Sequence, residues 1–145
     1  MKNKILLTLL LLTTYIGFSQ EDITWKDLAK VTFTEKTIPP YQGKVAYPTF
    51  SEEMKALNGK QVSITGYFLN IDPNEDLYIL SKGPMASCFF CGVGGPETAM
   101  ELQFTSEKSF KTDTIVMVVG TLKLNADDLQ HFNYILTDCD AFVLN

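Results

Sequence analysis

Two of the three cysteines lie close together in a loop whose composition sets it apart from the rest of the chain. Residues 84–97 read PMASCFFCGVGGPE, with Cys88 and Cys91 in a C-x-x-C spacing followed by glycines and a proline. Two thiolates at this spacing can hold one zinc ion, because a tight turn lets both sulfur atoms face the same point. A single C-x-x-C supplies only half of a four-coordinate site, so the other ligands must come from elsewhere.

Few other residues have the chemistry to complete such a site. Cys139 lies in the last predicted strand, His131 is the single histidine, and Glu97 offers carboxylate oxygens at the end of the loop. In an OB-type barrel the third and fifth strands are neighbours, which would bring Cys139 towards the loop. The predicted metal ligands are therefore Cys88, Cys91, His131 and Cys139, and zinc is the expected ion.

Three other interpretations of the cysteines stay open. A C-x-x-C pair can act as a thiol–disulfide redox centre, although reactive pairs commonly lie at a helix N-terminus and residues 92–96 are unsuited to a helix. A structural disulfide between Cys88 and Cys91 would tighten the loop in an oxidising compartment. Buried free cysteines also pack as small apolar side chains, which is the simplest role for Cys139.

The N-terminus indicates export. Residues 1–20 carry two lysines, then an apolar run at 5–12 and a more polar end, which is the layout of a secretory signal peptide. The apolar run is much shorter than the roughly 20 residues of a membrane-spanning helix. We therefore predict an exported protein, periplasmic or secreted, with no membrane span in its mature chain.

Composition argues against two classes of function. The formal net charge is −5, and all 12 basic residues are lysines. Nucleic-acid binding normally needs a basic face and often uses arginine, so that class of partner is not expected. The chain has one histidine and no G-x-S-x-G motif, so a hydrolase is not indicated, and we expect a protein that is not an enzyme.

Five segments have the alternating apolar and polar residues of β-strands: 61–69, 77–80, 99–104, 114–124 and 134–144. The first and the fourth are long, and Gly66 and Gly120 interrupt them, as expected of strands that bend to join two neighbours. The pattern predicts a mainly β fold, a small five-stranded OB-like barrel, with a β-sandwich as the competing architecture.

A short helix, capped by Ser51 and ended by Gly59, is predicted before the first of these strands, where it would close one end of the barrel. The predicted domains are a signal peptide at 1–20, an N-terminal extension at 21–50 and the OB-like β-barrel at 51–145. In the extension, Trp25 is expected to act as an apolar plug, because an indole buries a large surface.

Three features together resemble an uncharacterised family of exported bacterial domains with an OB-like barrel. They are Trp25 in an N-terminal segment, the run LNGKQVSITGYF at 57–68, and the cysteine-bearing loop after the second strand. The family's Cys-x-His followed by prolines is replaced here by Cys88-Phe-Phe-Cys91 and a glycine-rich run. Some members are associated with envelope metal uptake, and the resemblance therefore implies zinc as a ligand.

These observations predict an exported, non-enzymatic binding or accessory module of the cell envelope. Its expected partners are a metal ion or an envelope protein, met through the loop at 84–97. The alternatives are a structural or protein-interaction domain with a disulfide between Cys88 and Cys91, and a thiol–disulfide redox protein.

Overall fold

The computed structural model describes residues 20–72 and 77–144, and about half of them lie in strands. The predicted signal peptide, apart from Gln20, lies outside the described residues. The two described helices, α1 (Trp25–Leu28) and α2 (Glu52–Leu57), fall far short of the length that crossing a membrane requires. The strands are β1 (Glu21–Asp22), β2 (Val31–Thr37), β3 (Lys44–Phe50), β4 (Gln61–Asp72), β5 (Leu77–Ser81), β6 (Ala99–Phe104), β7 (Thr114–Leu124) and β8 (Tyr134–Val143).

Five of these strands close into a barrel, which confirms the predicted fold class. The order is β4, β5, β6, β8 and β7, and β7 pairs with β4 to complete the circle. All neighbours are antiparallel except β6 and β8, which run parallel. A closed barrel leaves no edge among these five strands, so their backbone groups pair with one another.

The strand β4 pairs with two neighbours, and the second pairing begins just after Gly66. The first two thirds of β4 pair with β7, and from Tyr67 onwards the strand also pairs with β5. A Cβ added at Gly66 would lie 2.7 Å from the Ser81 carbonyl oxygen and 2.9 Å from the Trp25 ring. Only glycine allows this close approach of two backbones and an indole, which accounts for the glycine inside the first barrel strand.

The main core fills the barrel with the inward side chains of all five strands. Phe68 of β4 stacks on Tyr78 of β5 with ring centroids 5.5 Å apart, and Phe104 packs edge-on against Tyr78. One end is closed by Met54 of α2, as expected of the helix before the first barrel strand. Ser51 caps that helix by accepting a hydrogen bond from the Met54 amide, as predicted.

The segment at 21–50 is joined to the barrel through several contacts. β1 pairs in parallel with β4, and α1 begins in a capping box formed by Thr24 and Asp27. Leu28 is fully buried in the main core, and its carbonyl oxygen accepts a hydrogen bond of 2.8 Å from the Tyr134 hydroxyl. The Trp25 indole nitrogen donates to the Thr65 carbonyl at 2.8 Å. The extension therefore supplies part of the barrel core.

The rest of this segment is a two-stranded antiparallel hairpin of β2 and β3. The strand β3 was not predicted, because Pro48 lies inside it and removes a donor. In a two-stranded sheet both strands are edges, and a proline whose nitrogen faces away from the partner is tolerated there.

Candidate functional site

The loop at 84–97 folds back onto the outer face of the barrel instead of projecting away from it. It consists of three short 3-10 turns, Met85–Ser87, Phe89–Cys91 and Pro96–Thr98. The buried side of the loop consists of Met85, Cys88 and Phe89. It packs on the outside of the barrel against Leu69 of β4, Ile79 of β5 and Ala99 of β6. A second, smaller apolar core therefore lies outside the barrel, and the cysteine-bearing loop is its lid.

Cys88 and Cys91 are close neighbours with different surroundings. Both are free thiols, but Cys88 is buried in the second core whereas Cys91 is exposed. The Cys91 amide donates to the Cys88 carbonyl at 3.0 Å, which closes the turn between them. The Cys91 thiol donates in turn to the Met85 carbonyl, with sulfur and oxygen 3.1 Å apart. As predicted, these two residues lie in one tight turn.

The environment of Cys91 favours its protonated thiol. Desolvation, and then the neighbouring Cys88, raise the pKa of Cys91 above its ordinary value. The thiolate is the form that attacks disulfides and binds metals, and its fraction falls as the pKa rises. Within the described residues no α-helix begins after Cys91, so no helix dipole offsets this effect.

Cys139 lies at the far end of β6 from the loop. The third and fifth barrel strands are neighbours as predicted, but Cys139 pairs with Phe104, the last residue of β6. The loop enters β6 at Ala99, five residues earlier, which is roughly 16 Å along a strand. The Cys139 thiol donates to the Gln103 carbonyl at 3.2 Å in the main core, and burial raises its pKa to about 12. Its surroundings are those of a packing residue.

His131 contacts a carboxylate that sequence reasoning did not single out. Its Nδ1 lies 2.9 Å from both carboxylate oxygens of Glu101, which is only 5% exposed. Glu101 also accepts hydrogen bonds from the Gln103 side chain at 2.8 Å and from the Phe132 amide at 3.3 Å. The signal in the sequence was a single acid inside the apolar strand AMELQF. Two of its partners, His131 and Phe132, lie 30 and 31 residues further along the chain, which no local pattern reveals.

Glu97, the remaining oxygen candidate, lies at the end of the loop. It belongs to the turn Pro96–Thr98, and its negative charge acts on the Tyr134 phenol at the end of the barrel. Burial, and after it this charge, raise the pKa of Tyr134.

The predicted ligands therefore do not come together as one four-ligand group. Across residues 20–72 and 77–144, no three His, Cys, Asp or Glu side chains form a group that could hold a metal ion. Cys88 and Cys91 alone lie side by side, and two thiols do not fit a closed zinc site, which needs four ligands.

Two hollows lie near these residues. The larger encloses about 740 Å³ and is lined by Glu101 and His131 together with residues from β5, β6 and the segment after β6. The smaller, of about 250 Å³, lies under the loop and is lined by Ser81, Cys88, Val93 and Thr98, among others. No cysteine lines the larger hollow, so this hollow is separate from the cysteines that the sequence analysis singled out.

The strand order defines the class of fold, a closed five-stranded OB-like barrel with an outer loop. The chain is similar to a DUF3299 family protein from Pseudomonas aeruginosa PAO1, with 14% identity and a TM-score of 0.53. The likeness covers 88% of this chain and 99% of that one. No family model matches the chain, and no curated protein matches it. At this identity the likeness shows the fold alone.

Proposed function

We propose that the chain is an exported, non-enzymatic accessory module of the cell envelope that binds a protein partner through the loop at 84–97. The observation that carries the proposal is the exposure of Phe90 and Val93, 51% and 54%, on a loop whose other side is buried. Large apolar side chains grouped at one point of a surface commonly mark a site of protein contact. Export is supported by the N-terminal pattern at 1–20.

The exposed side chains stand on a well-packed base. The Phe90 ring packs edge-on against Phe89, with centroids 5.6 Å apart, and against Phe132, at 5.9 Å. Gly92 and Gly94 adopt positive φ values of 75° and 87°, which fix the course of the loop after Cys91. A preorganised loop loses little conformational entropy on binding, and aromatic side chains contribute strongly to protein interfaces.

Metal handling by Cys88 and Cys91 is a second candidate function, supported by their proximity in one turn. The described residues supply two thiols and no third ligand, so they fit a zinc site only in part. A disulfide between the same two residues is the structural alternative, because the turn brings them together in a chain predicted to be exported. The raised pKa of Cys91 does not favour the redox alternative, which needs a reactive thiolate.

The protein-partner proposal can be tested by site-specific photocross-linking in the native host. Phe90 is replaced by benzoylphenylalanine, and Tyr41, an aromatic residue that is 41% exposed on the β2–β3 hairpin, is replaced in a matched control. After irradiation of intact cells, a discrete adduct is expected from position 90 and none from position 41. The adduct should weaken when Val93 is also changed to Ser. Identical adducts from both positions, or none from position 90, would contradict the proposal.

The state of the thiols needs a separate experiment on freshly purified protein. Metal analysis of the reduced chain is combined with mass spectrometry before and after alkylation, for the wild type, Cys91→Ser and Cys139→Ala. Metal handling predicts stoichiometric zinc that is lost in Cys91→Ser and retained in Cys139→Ala. A disulfide predicts a mass two hydrogens lower and two cysteines protected from alkylation. Absence of both zinc and copper would remove the metal candidate and leave the protein-partner proposal standing.

A further inference from the structure

The last residues of β8 have an open strand edge. The barrel is closed where its strands overlap, but β6 ends at Phe104, which pairs with Cys139, whereas β8 continues to Val143. The last backbone hydrogen bond on that side runs from the Thr105 amide to the Cys139 carbonyl oxygen. Beyond this point β8 has β7 on one side and, within the described residues, no strand on the other. We call residues 141–144 the β8 edge.

The register with β7 decides which backbone groups point to the open side. The Leu144 amide donates to the Ile115 carbonyl, so alternate residues of β8 counted back from Leu144 direct their backbone groups at β7. The residues between them direct theirs away from it. The outward amide of Ala141 is already used, because it donates to the Asp140 carboxylate at 2.8 Å. Val143 is different, since among the described residues neither its amide nor its carbonyl oxygen has a hydrogen-bond partner.

The side chains around the β8 edge are apolar and exposed. Residues 142–144 are Phe, Val and Leu, and each is between 46% and 50% exposed. Phe142 and Leu144 lie on the outer face of the barrel beside Ile115 of β7, which is 42% exposed. An open edge that carries exposed apolar side chains is a template for another strand.

The hairpin of β2 and β3 also has open edges, but its side chains protect them. Its strands carry the charges of Glu35 and Lys44, and β3 contains Pro48. Charges and prolines are common means by which edge strands avoid pairing with one another. The end of β8 has neither after Asp140, and that carboxylate is paired with Lys108. The β8 edge therefore lacks the protection that the hairpin has.

We propose that two copies of this chain associate through the β8 edge, with their β8 strands antiparallel and Val143 on the two-fold axis. In that register the amide of each Val143 donates to the carbonyl oxygen of the other, so the free groups of one copy satisfy those of the second. Phe142 lies opposite Leu144 of the partner subunit on both sides of the axis, which forms two apolar cross-strand pairs. The segment 141–144 carries no charge, so the pairing opposes no two carboxylates although each copy is acidic.

The position of the axis follows from the same backbone groups. An axis at Ala141 would place Asp140 opposite Phe142 of the partner subunit, and the Ala141 amide is already bonded to the Asp140 carboxylate. The contact is small, because it involves far fewer residues than the roughly 20–30 a side of a standard interface. We therefore expect a dimer in concentration-dependent equilibrium with the monomer. The β8 edge shares no residue with the loop at 84–97, so the proposal does not depend on the function proposed for that loop.

The test follows the backbone amide of Val143 in the purified protein as the protein concentration is raised. Sedimentation velocity gives the fraction of dimer, and hydrogen exchange followed by nuclear magnetic resonance gives the protection of single amides. The Val143 amide should exchange rapidly in dilute solution and more slowly as the dimer fraction rises. The Phe142 amide, which faces β7 in the same strand, is the internal control and should be equally protected at every concentration.

Two variants of Val143 separate backbone pairing from side-chain contact. Val143→Pro removes an amide that the monomer does not use, and an edge strand tolerates proline at such a position, so its circular dichroism should match that of the wild type. It should weaken dimerisation by at least about tenfold, because two hydrogen bonds are lost. Val143→Thr keeps the amide and should dimerise within about tenfold of the wild-type affinity. Val93→Ser, in the loop at 84–97, should dimerise as the wild type does.

Three results would overturn the proposal. The first is a protein that stays monomeric at every concentration, which would leave the edge to a different partner. The second is a dimer in which the Val143 amide exchanges as fast as in the monomer, because another surface then holds the two copies together. The third is a folded Val143→Pro that dimerises as strongly as Val143→Thr. Should Val143→Pro fail to fold, the exchange of the Val143 amide in the wild type decides between the first two results and the proposal.

Discussion

Replacing Leu28 by alanine tests whether the segment at 21–50 is part of the same folding unit as the barrel. Leu28 is fully buried in the main core, and the Tyr134 hydroxyl hydrogen-bonds to its carbonyl oxygen. Truncating a fully buried leucine removes its transfer free energy and leaves a cavity, which costs about 3 kcal/mol. For a domain of this size, such a loss lowers the melting temperature by roughly 10 °C.

The single tryptophan makes the assay sharper. Trp25 lies in the extension and donates to the Thr65 carbonyl of β4, so its fluorescence reports the contact between the two parts. Far-ultraviolet circular dichroism reports the strands, most of which lie in the barrel. In urea, both signals of Leu28→Ala should move together to a lower midpoint, because one cooperative unit has one transition.

A surface change on the same helical turn is the matched control. Lys26 is exposed, and Lys26→Ala should alter stability by no more than about 0.5 kcal/mol. If Leu28→Ala shifts only the tryptophan signal and leaves the dichroism midpoint in place, the extension is a separate element. The reasoning from burial is then refuted.

Three further predictions concern the barrel interior and the buried carboxylate. Gly120→Ala should cost about 1–3 kcal/mol, because the new Cβ would lie 2.6 Å from the Cys139 Cβ, and Cys139→Gly in the same chain should restore part of the loss. Burial raises the pKa of Cys139 from 9.0 to about 12, so its thiol ionises at lower pH in the unfolded chain than in the folded one. The free energy of unfolding should therefore fall above about pH 9, by up to roughly 1.4 kcal/mol per pH unit. Glu101→Leu should cost about 2 kcal/mol and speed hydrogen exchange of the Phe132 amide, since that amide and His131 lose their acceptor.

Each of these has its own control. For the glycine, an unchanged urea midpoint in Gly120→Ala would show that the strands can move apart. For the thiol, Cys139→Ala should show a smaller loss of stability between about pH 8 and about pH 10 than the wild type, and equal losses would contradict the assignment. For the carboxylate, the control is Glu101→Gln, which keeps an acceptor oxygen. The amide hydrogen of Phe132 should exchange more slowly in this variant than in Glu101→Leu.

The barrel strands could be predicted because their signals are local. β6 and β7 begin and end where the sequence pattern placed them, since each is an apolar run bounded by turn residues. Gly66 and Gly120 are local signals as well, because only glycine allows the close contacts at these two positions. At Gly120 the pairing of β7 with β8 also shifts register. Pairing that depends on distant partners was harder. β3 contains Pro48 and becomes a strand only by pairing with β2.

The candidate site could be predicted only in part, and for a related reason. The C-x-x-C spacing correctly places Cys88 and Cys91 in one turn, because residues this close in sequence are held together by a single backbone hydrogen bond. Whether Cys139 and His131 lie near the two loop cysteines depends on the register between β6 and β8. A shift of a few residues along β6 moves a side chain by roughly 10 Å, which is farther than the ligands of one metal ion can be apart. The register puts Cys139 opposite Phe104 and leaves His131 beside Glu101.

The asymmetry of the cysteine pair also decides how the loop should be studied. Cys88 packs with Leu69, Ile79 and Ala99, so changing it to serine places a hydroxyl in an apolar core and disturbs the loop whatever its thiol does. Cys91 is exposed, and Cys91→Ser removes the thiol while keeping a donor for the Met85 carbonyl. An effect seen with Cys88 variants and absent from Cys91→Ser therefore reflects packing of the lid. An effect common to both reflects the chemistry of the pair.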